Sequence, residues 1–150
     1  TNLLKPGGLM KIALYSELAR QHIAEVRKKI SLLRVGTSKS EIRKFRQSLA
    51  ESNEKNHQRL TKSNDFFNLS TLRDLIFHVQ EHRFSLPKIK NCLDELGLKF
   101  CGFENRDTIS NYRGFHGKDA DIYDLTQWHQ YEERNQHAFA EMYQFWCQKP

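Results

Sequence analysis

Two groups of residues in this chain have the types and spacing for chemistry. His78-Val79-Gln80-Glu81-His82 sets two imidazoles four positions apart with a carboxylate between them. On a helix, residues four apart share a face, so the pair could hold zinc while Glu81 activated a water for hydrolysis. That chemistry needs a third ligand from a separate element, and nothing singles out Glu95, Glu104 or Glu132 for the role. Phe84-Ser85-Leu86-Pro87 also breaks the segment immediately downstream, so no metal is expected, and a hydrogen-bonded structural histidine pair is the competing explanation. The second group is Tyr15-Ser16-Glu17, which follows an apolar run. In an open α/β sheet, ligands lie beyond the carboxyl ends of the parallel strands. These three are therefore candidates for substrate contact. The plainer explanation is that Ser16 caps the next helix while Tyr15 packs against the core.

Both groups depend on the elements that hold them. The run Met10 to Tyr15, after Pro6-Gly7-Gly8, reads as a short and largely buried strand. Ala19, Ile23, Val26, Ile30 and Leu33 recur at helical spacing, with Gly36 as a stop. Ser38 and Glu41 form a capping-box signature for a helix with Ile42, Phe45 and Leu49 on its buried side. The polar segment 51–63 reads as loop with a short helix, and Phe66 and Phe67 as anchors for it. Ser70 is the expected N-cap of a helix burying Leu72, Leu75, Ile76 and Val79. Ser85-Leu86-Pro87 starts another, with Ile89, Cys92, Leu93 and Leu96 buried and Gly97 ending it. Leu98 to Phe103 then reads as a second strand, and helix, glycine, strand in succession is α/β grammar. Asp107 is the expected cap of a helix holding Ile109 and Tyr112, and Leu125 and Trp128 mark another. Met142 to Gln148, rich in aromatics and lacking Leu, reads as a third strand.

Composition narrows the class. The chain has 150 residues, 38% hydrophobic and 28% charged, which suits one soluble domain with a sizeable core. No apolar stretch approaches the roughly 18 residues of a membrane span, and no signal sequence opens the chain. Cys92, Cys101 and Cys147 are odd in number without CxxC spacing, so they read as small buried hydrophobes in a reducing cytoplasm. Trp128, Tyr131, Tyr143, Phe145 and Trp146 read as core rather than as an acceptor pocket. The net charge of +6 is uneven, with Arg27, Lys28, Lys29, Arg34, Lys39, Arg43, Lys44 and Arg46 crowded together. On amphipathic helices such a stretch is ordinarily the solvated side, and nucleic-acid binding is not its expected main purpose.

A resemblance covers nearly the whole chain. Leu4-Lys5-Pro6-Gly7-Gly8-Leu9-Met10-Lys11-Ile12 resembles the turn and fifth strand of class I S-adenosylmethionine-dependent methyltransferases. Ser85 to Ile89, leading through Leu96-Gly97-Leu98-Lys99-Phe100, is similar to the helix and sixth strand of those enzymes. Met142 to Lys149 is similar to their antiparallel seventh strand. Gly8 to Glu17, Phe77 to Phe84 and Met142 to Trp146 more narrowly resemble the C-terminal part of bacterial methyltransferases often fused to tetratricopeptide repeats.

The resemblance implies the C-terminal half of a Rossmann-like α/β sheet of about three strands, with a large helical insertion. The expected layout is one partial domain: turn and strand over 1–16, helical insertion over 17–80, helix and strand over 81–104, a helical stretch over 105–141, and a final antiparallel strand over 142–150. It implies an S-adenosylmethionine-dependent methyl transfer by the whole enzyme, with His78 and His82 as catalytic residues at the substrate mouth. Tyr15, Ser16, Glu17, Glu81 and Arg83 would then be substrate-side residues. The family binds its cofactor through a Gly-rich loop after the first strand, and no such segment occurs in this chain. The isolated chain is thus expected to be inactive, its partner being the missing N-terminal half of the same domain. An open edge on the first strand would favour homo-oligomers. The alternative function is a non-enzymatic module that uses the basic helical region to bind nucleic acid or an acidic protein.

Overall fold

The structure is a computed structural model and describes residues 3–78 and 80–150. In chain order the described elements are β1 (Leu9–Ser16), α1 (Gln21–Leu33), α2 (Lys39–Ala50), α3 (Lys55–Thr61), α4 (Asn64–Phe67) and α5 (Leu69–Phe77). They continue with β2 (Arg83–Phe84), α6 (Leu86–Glu95), β3 (Lys99–Phe103), α7 (Arg106–His116), α8 (Leu125–Arg134) and β4 (Tyr143–Gln148). The chain divides into two compact units, an α/β unit of Thr1–Ala19 with His82–Pro150 and a helical unit of Arg20–Glu81. No helix among the described residues is long and apolar enough to cross a membrane.

The α/β unit is built on a mixed sheet with strand order β2-β1-β4-β3. β4 runs antiparallel to both β1 and β3, so β1, β2 and β3 are mutually parallel. The expected sheet had three strands; the fourth, β2, is a two-residue strand pairing Arg83 with Tyr15 and Phe84 with Ser16. The edge of β1 is therefore covered at its carboxyl end, while Leu9–Leu14 have no strand on that side among the described residues.

β1 is not largely buried as expected. Leu9, Lys11 and Ala13 are exposed while Met10, Ile12 and Leu14 turn half-buried onto the core, the two-residue period of a sheet with one covered face. β4 shows the same period, with Tyr143, Phe145 and Cys147 buried. Trp128 stacks on Tyr112 at 3.8 Å between centroids, and Phe103 meets Trp128 edge-on at 4.9 Å. Each aromatic ring so buried contributes roughly 2–3 kcal/mol by removal of apolar area from water.

Local signals position these layers. α6 ends in a Schellman motif: the Gly97 N–H donates to the Asp94 carbonyl at 3.1 Å and the Leu98 N–H to that of Leu93 at 2.9 Å. Gly97 has φ +62°, which glycine adopts without steric cost. In the helical unit the capping box forms as read, the Ser38 hydroxyl accepting the Glu41 N–H and the Glu41 carboxylate returning to the Ser38 backbone. Ile23, Val26, Phe45, Leu49, Leu60 and Leu72 make its core. Several details differ from expectation: Leu96 and Trp146 are exposed instead of buried, and α1 stops at Leu33 with Arg34, not Gly36, in the left-handed conformation. Asn68 caps α5 in place of Ser70, and Asn105 caps α7 in place of Asp107. Phe66 is buried as an anchor, whereas Phe67 is 74% exposed. Val79 lies outside the described residues.

Candidate functional site

The carboxyl ends of β1 and β3 and the start of β4 meet at one edge of the α/β unit. Ser16 closes β1 there and is fully buried; its hydroxyl donates to Glu132 Oε1 at 2.5 Å and accepts the Ala19 N–H at 3.0 Å. Ser16 is therefore not the cap of α1, whose N-cap is Arg20. Glu132 sits on the buried stripe of α8 with Leu125, Trp128 and Tyr131, and is itself fully buried. Tyr143, the first residue of β4, donates its hydroxyl to the same carboxyl at 2.6 and 2.7 Å.

Burial penalises the charged form, so the Glu132 carboxyl is held above its ordinary range even though both hydroxyls favour the carboxylate. The Tyr143 phenol is pushed up as well, first by burial and then by the adjacent carboxyl. A carboxyl with no exposed surface cannot touch a solvent-borne ligand in this conformation. What the network does is fix the outgoing end of β1 to the incoming end of β4, which sets where Tyr15 and Glu17 leave the sheet. Tyr15 is half-buried and Glu17 exposed, the Glu17 N–H donating to the Phe84 carbonyl at 2.8 Å.

Beside this network a cleft of about 410 Å³ opens at the carboxyl end of β3. Its floor includes Phe103 and Phe139, which pack at 4.7 Å, and its polar rim includes Glu104, His137, Glu141 and Gln144. Glu104 is ion-paired with Lys11, and its backbone N–H donates to the Gln144 carbonyl at 2.9 Å. Asn105 caps α7 by accepting the Thr108 N–H, and the Thr108 hydroxyl donates to the Ala138 carbonyl at 3.4 Å, which joins the two walls. An apolar floor with a few convergent polar groups, outside the ends of parallel strands, is the usual form of a small-molecule site.

The other sequence candidates are dispersed. α5 ends at Phe77, and His78 and residues 80–82 are not helical, so the four-residue spacing does not bring the two imidazoles onto one helix face. His78 is exposed, its Nδ1 accepting the Gln80 N–H at 3.3 Å, and His82 is exposed. Glu81 belongs to the helical unit, where Arg20 and Arg27 both donate to it. Burial alone would raise its carboxyl, but the two guanidiniums hold it below its ordinary value. Arg83 lies half-buried in β2. Among the described residues, no three His, Cys, Asp or Glu side chains come together as a metal site. Glu132 and the cleft residues were missed by sequence reading. The available signal for Glu132 was its place on the helical stripe begun by Leu125 and Trp128. No family model matches the chain, and no characterised protein matches its sequence.

Proposed function

We propose that the α/β unit is the substrate-side part of a class I S-adenosylmethionine-dependent methyltransferase and that the cleft beside Phe103 receives the methyl acceptor. The observation that supports this most is the sheet order: parallel β1 and β3 flank a final strand antiparallel to both, in the chain order that the resemblance implies. The Pro-Gly-Gly turn before β1, with Gly7 at φ +74°, and the α6–Gly97–β3 junction add to it.

The cofactor does not fit the residues of this chain. β1 runs directly into Glu17-Leu18-Ala19-Arg20, and Gly7, Gly8 and Gly97 precede strands instead of following them. A nucleoside cradle requires the glycines after a strand. In this reading the cofactor contacts and a strand alongside Leu9–Leu14 come from the rest of the same sheet. The chain's own share is to shape the acceptor cleft and to exclude water from it with Phe103 and Phe139, with His137 among the polar groups of its rim. Tyr15, Glu17, His82 and Arg83 are assigned to the rim at the carboxyl end of β1 and β2. The three thiols are free and at least partly covered, which suits a reducing cytoplasm.

The test is calorimetric titration with S-adenosylmethionine. The 150-residue chain should show no binding at 100 μM ligand. The chain extended through the coding sequence directly upstream should bind at micromolar concentration. Micromolar binding by the chain alone would remove the placement of the cofactor site, and absence of binding by the extended protein would remove the methyltransferase reading.

A further inference from the structure

The formal net charge is not shared between the two units. The helical unit, Arg20–Glu81, holds 13 Lys and Arg against seven Asp and Glu, whereas the α/β unit holds 11 of each. The whole +6 therefore belongs to the helical unit. Part of that charge converges. A cleft of about 300 Å³ is lined by Lys39 and Arg43 of α2 and Arg73 of α5, with Thr37, Ser70 and an apolar floor of Ile42 and Leu69. Lys39 and Arg43 are four residues apart and share a face of α2, and Ser70 lies in the first turn of α5. Among the described residues, no carboxylate lies within ion-pair distance of Lys39, Arg43 or Arg73. The nearest acid in the first turn of α2, Glu41, is turned back onto Ser38 in the capping box. Three cations and two hydroxyls around a shallow cleft, with two helix N-termini beside it, suit a phosphate group.

The surface next to this cleft suits something attached to the phosphate. Arg46, one turn along α2 from Arg43, donates to the Phe67 carbonyl at 3.3 Å. Phe67 is 74% exposed, and its ring is braced edge-on against buried Phe66 at 5.9 Å. A braced, exposed aromatic beside a row of cations is the arrangement on which an unpaired base stacks while its backbone is neutralised.

We propose that the cleft between α2 and α5 binds the phosphodiester backbone of single-stranded nucleic acid through Lys39, Arg43 and Arg73, with a neighbouring base stacked on Phe67. The site lies wholly within the helical unit and stands whatever the α/β unit acts on.

Fluorescence anisotropy with a labelled 12-residue oligothymidylate tests it, using the whole chain across a salt series. Binding should weaken with salt, with a slope of log affinity against log salt near −2, as expected for about three neutralised phosphates on a single strand. Arg43→Glu/Arg73→Glu should reduce affinity at least tenfold and flatten that slope. Phe67→Ala should reduce affinity about tenfold while leaving the slope unchanged, because stacking is lost and the charge kept. Lys28→Glu/Lys62→Glu makes the same charge change at exposed positions outside the cleft and should alter affinity by less than about threefold. A circular dichroism spectrum identical to that of the parent shows that each variant is folded. The proposal is overturned by no binding at 50 mM salt, or by equal loss in the Lys28/Lys62 variant. It is equally overturned if duplex of the same sequence, or vesicles rich in phosphatidylserine, bind more tightly than the single strand.

Discussion

Arg20 and Glu81, the first and last residues of the helical unit, are joined by a two-pronged ion pair, Arg20 Nη2 at 2.6 Å and Nε at 3.3 Å from the Glu81 carboxylate. The Glu81 side chain is only 4% exposed and also receives Arg27 Nη2 at 2.9 Å. Arg27 in turn donates twice to the Leu75 carbonyl in the last turn of α5. One carboxylate therefore ties the entry of the unit to its exit and holds the guanidinium that satisfies the end of its final helix.

Glu81→Gln should destabilise the helical unit by about 3 kcal/mol at neutral pH, the order found when one partner of a buried pair is removed. The carboxyl is held below its ordinary value, so its stabilisation is full above that value and disappears as pH falls through the lowered one. Urea unfolding followed by circular dichroism should show a wide gap between parent and variant at pH 7 that narrows in acid. A gap that persists unchanged in strong acid would mean that packing, not charge, is what the substitution removes.

Glu132 has the opposite sign. Its raised carboxyl binds a proton more tightly in the folded state than in the unfolded chain. Stability should therefore decline as pH rises from the ordinary carboxylate value through the raised one, by at most about 1.4 kcal/mol per pH unit. Glu132→Gln keeps the shape and can still accept from Ser16 and Tyr143, so it should flatten this dependence. Urea midpoints measured between pH 4 and pH 8 check it, and parallel slopes for the two proteins would refute it.

Local rules made much of the framework legible. The capping box at Ser38, the stop at Gly97 and the aromatic enrichment of β4 act within a few residues, and each is realised. The misses fall where several residues satisfy the same local rule. Asn68 and Ser70, like Asn105 and Asp107, are all competent caps, and only the backbone conformation decides which side chain reaches the free N–H groups. Phe66 and Phe67 are adjacent and chemically identical, so which of them is buried depends on the pitch of a four-residue helix. β2 is too short to show any period. At the candidate site, Glu132 draws its partners from 116 and 11 residues away, and one wall of the cleft is a loop without pattern. Nothing local in the sequence records such pairings.

Asn105→Ala removes the side chain that accepts the Thr108 N–H at the start of α7. Loss of such a cap is worth about 1 kcal/mol. Because Asn105 also lines the cleft, ligand binding there should weaken along with stability, whereas Asn68→Ala at α5 should cost similar stability and leave that cleft unchanged. Thermal unfolding of the two variants, compared with binding to the α/β unit, separates the effects.

Gly102 lies in an irregularity of β3 immediately before Phe103 and Glu104, two residues that line that cleft. β3 pairs Phe100 with Cys147 but Phe103 with Phe145, so β3 holds one extra residue between the two pairs, a β-bulge. In a regular strand residues three apart point to opposite faces; the extra residue restores the phase, so both Phe100 and Phe103 reach Phe145, at 5.6 and 6.1 Å. The bulge also delivers Glu104 to the rim of the cleft. Gly102 sits at φ +106°, where side chains are strained, and a Cβ there would meet the Tyr123 ring at 3.5 Å. Gly102→Val should therefore destabilise the α/β unit by about 1–3 kcal/mol. If the bulge is instead expelled to relieve the strain, Phe103 turns away from Phe145 and the aromatic near-ultraviolet dichroism is lost while the helical signal remains. A variant with parental stability and an unchanged near-ultraviolet spectrum would show that the bulge does not depend on glycine.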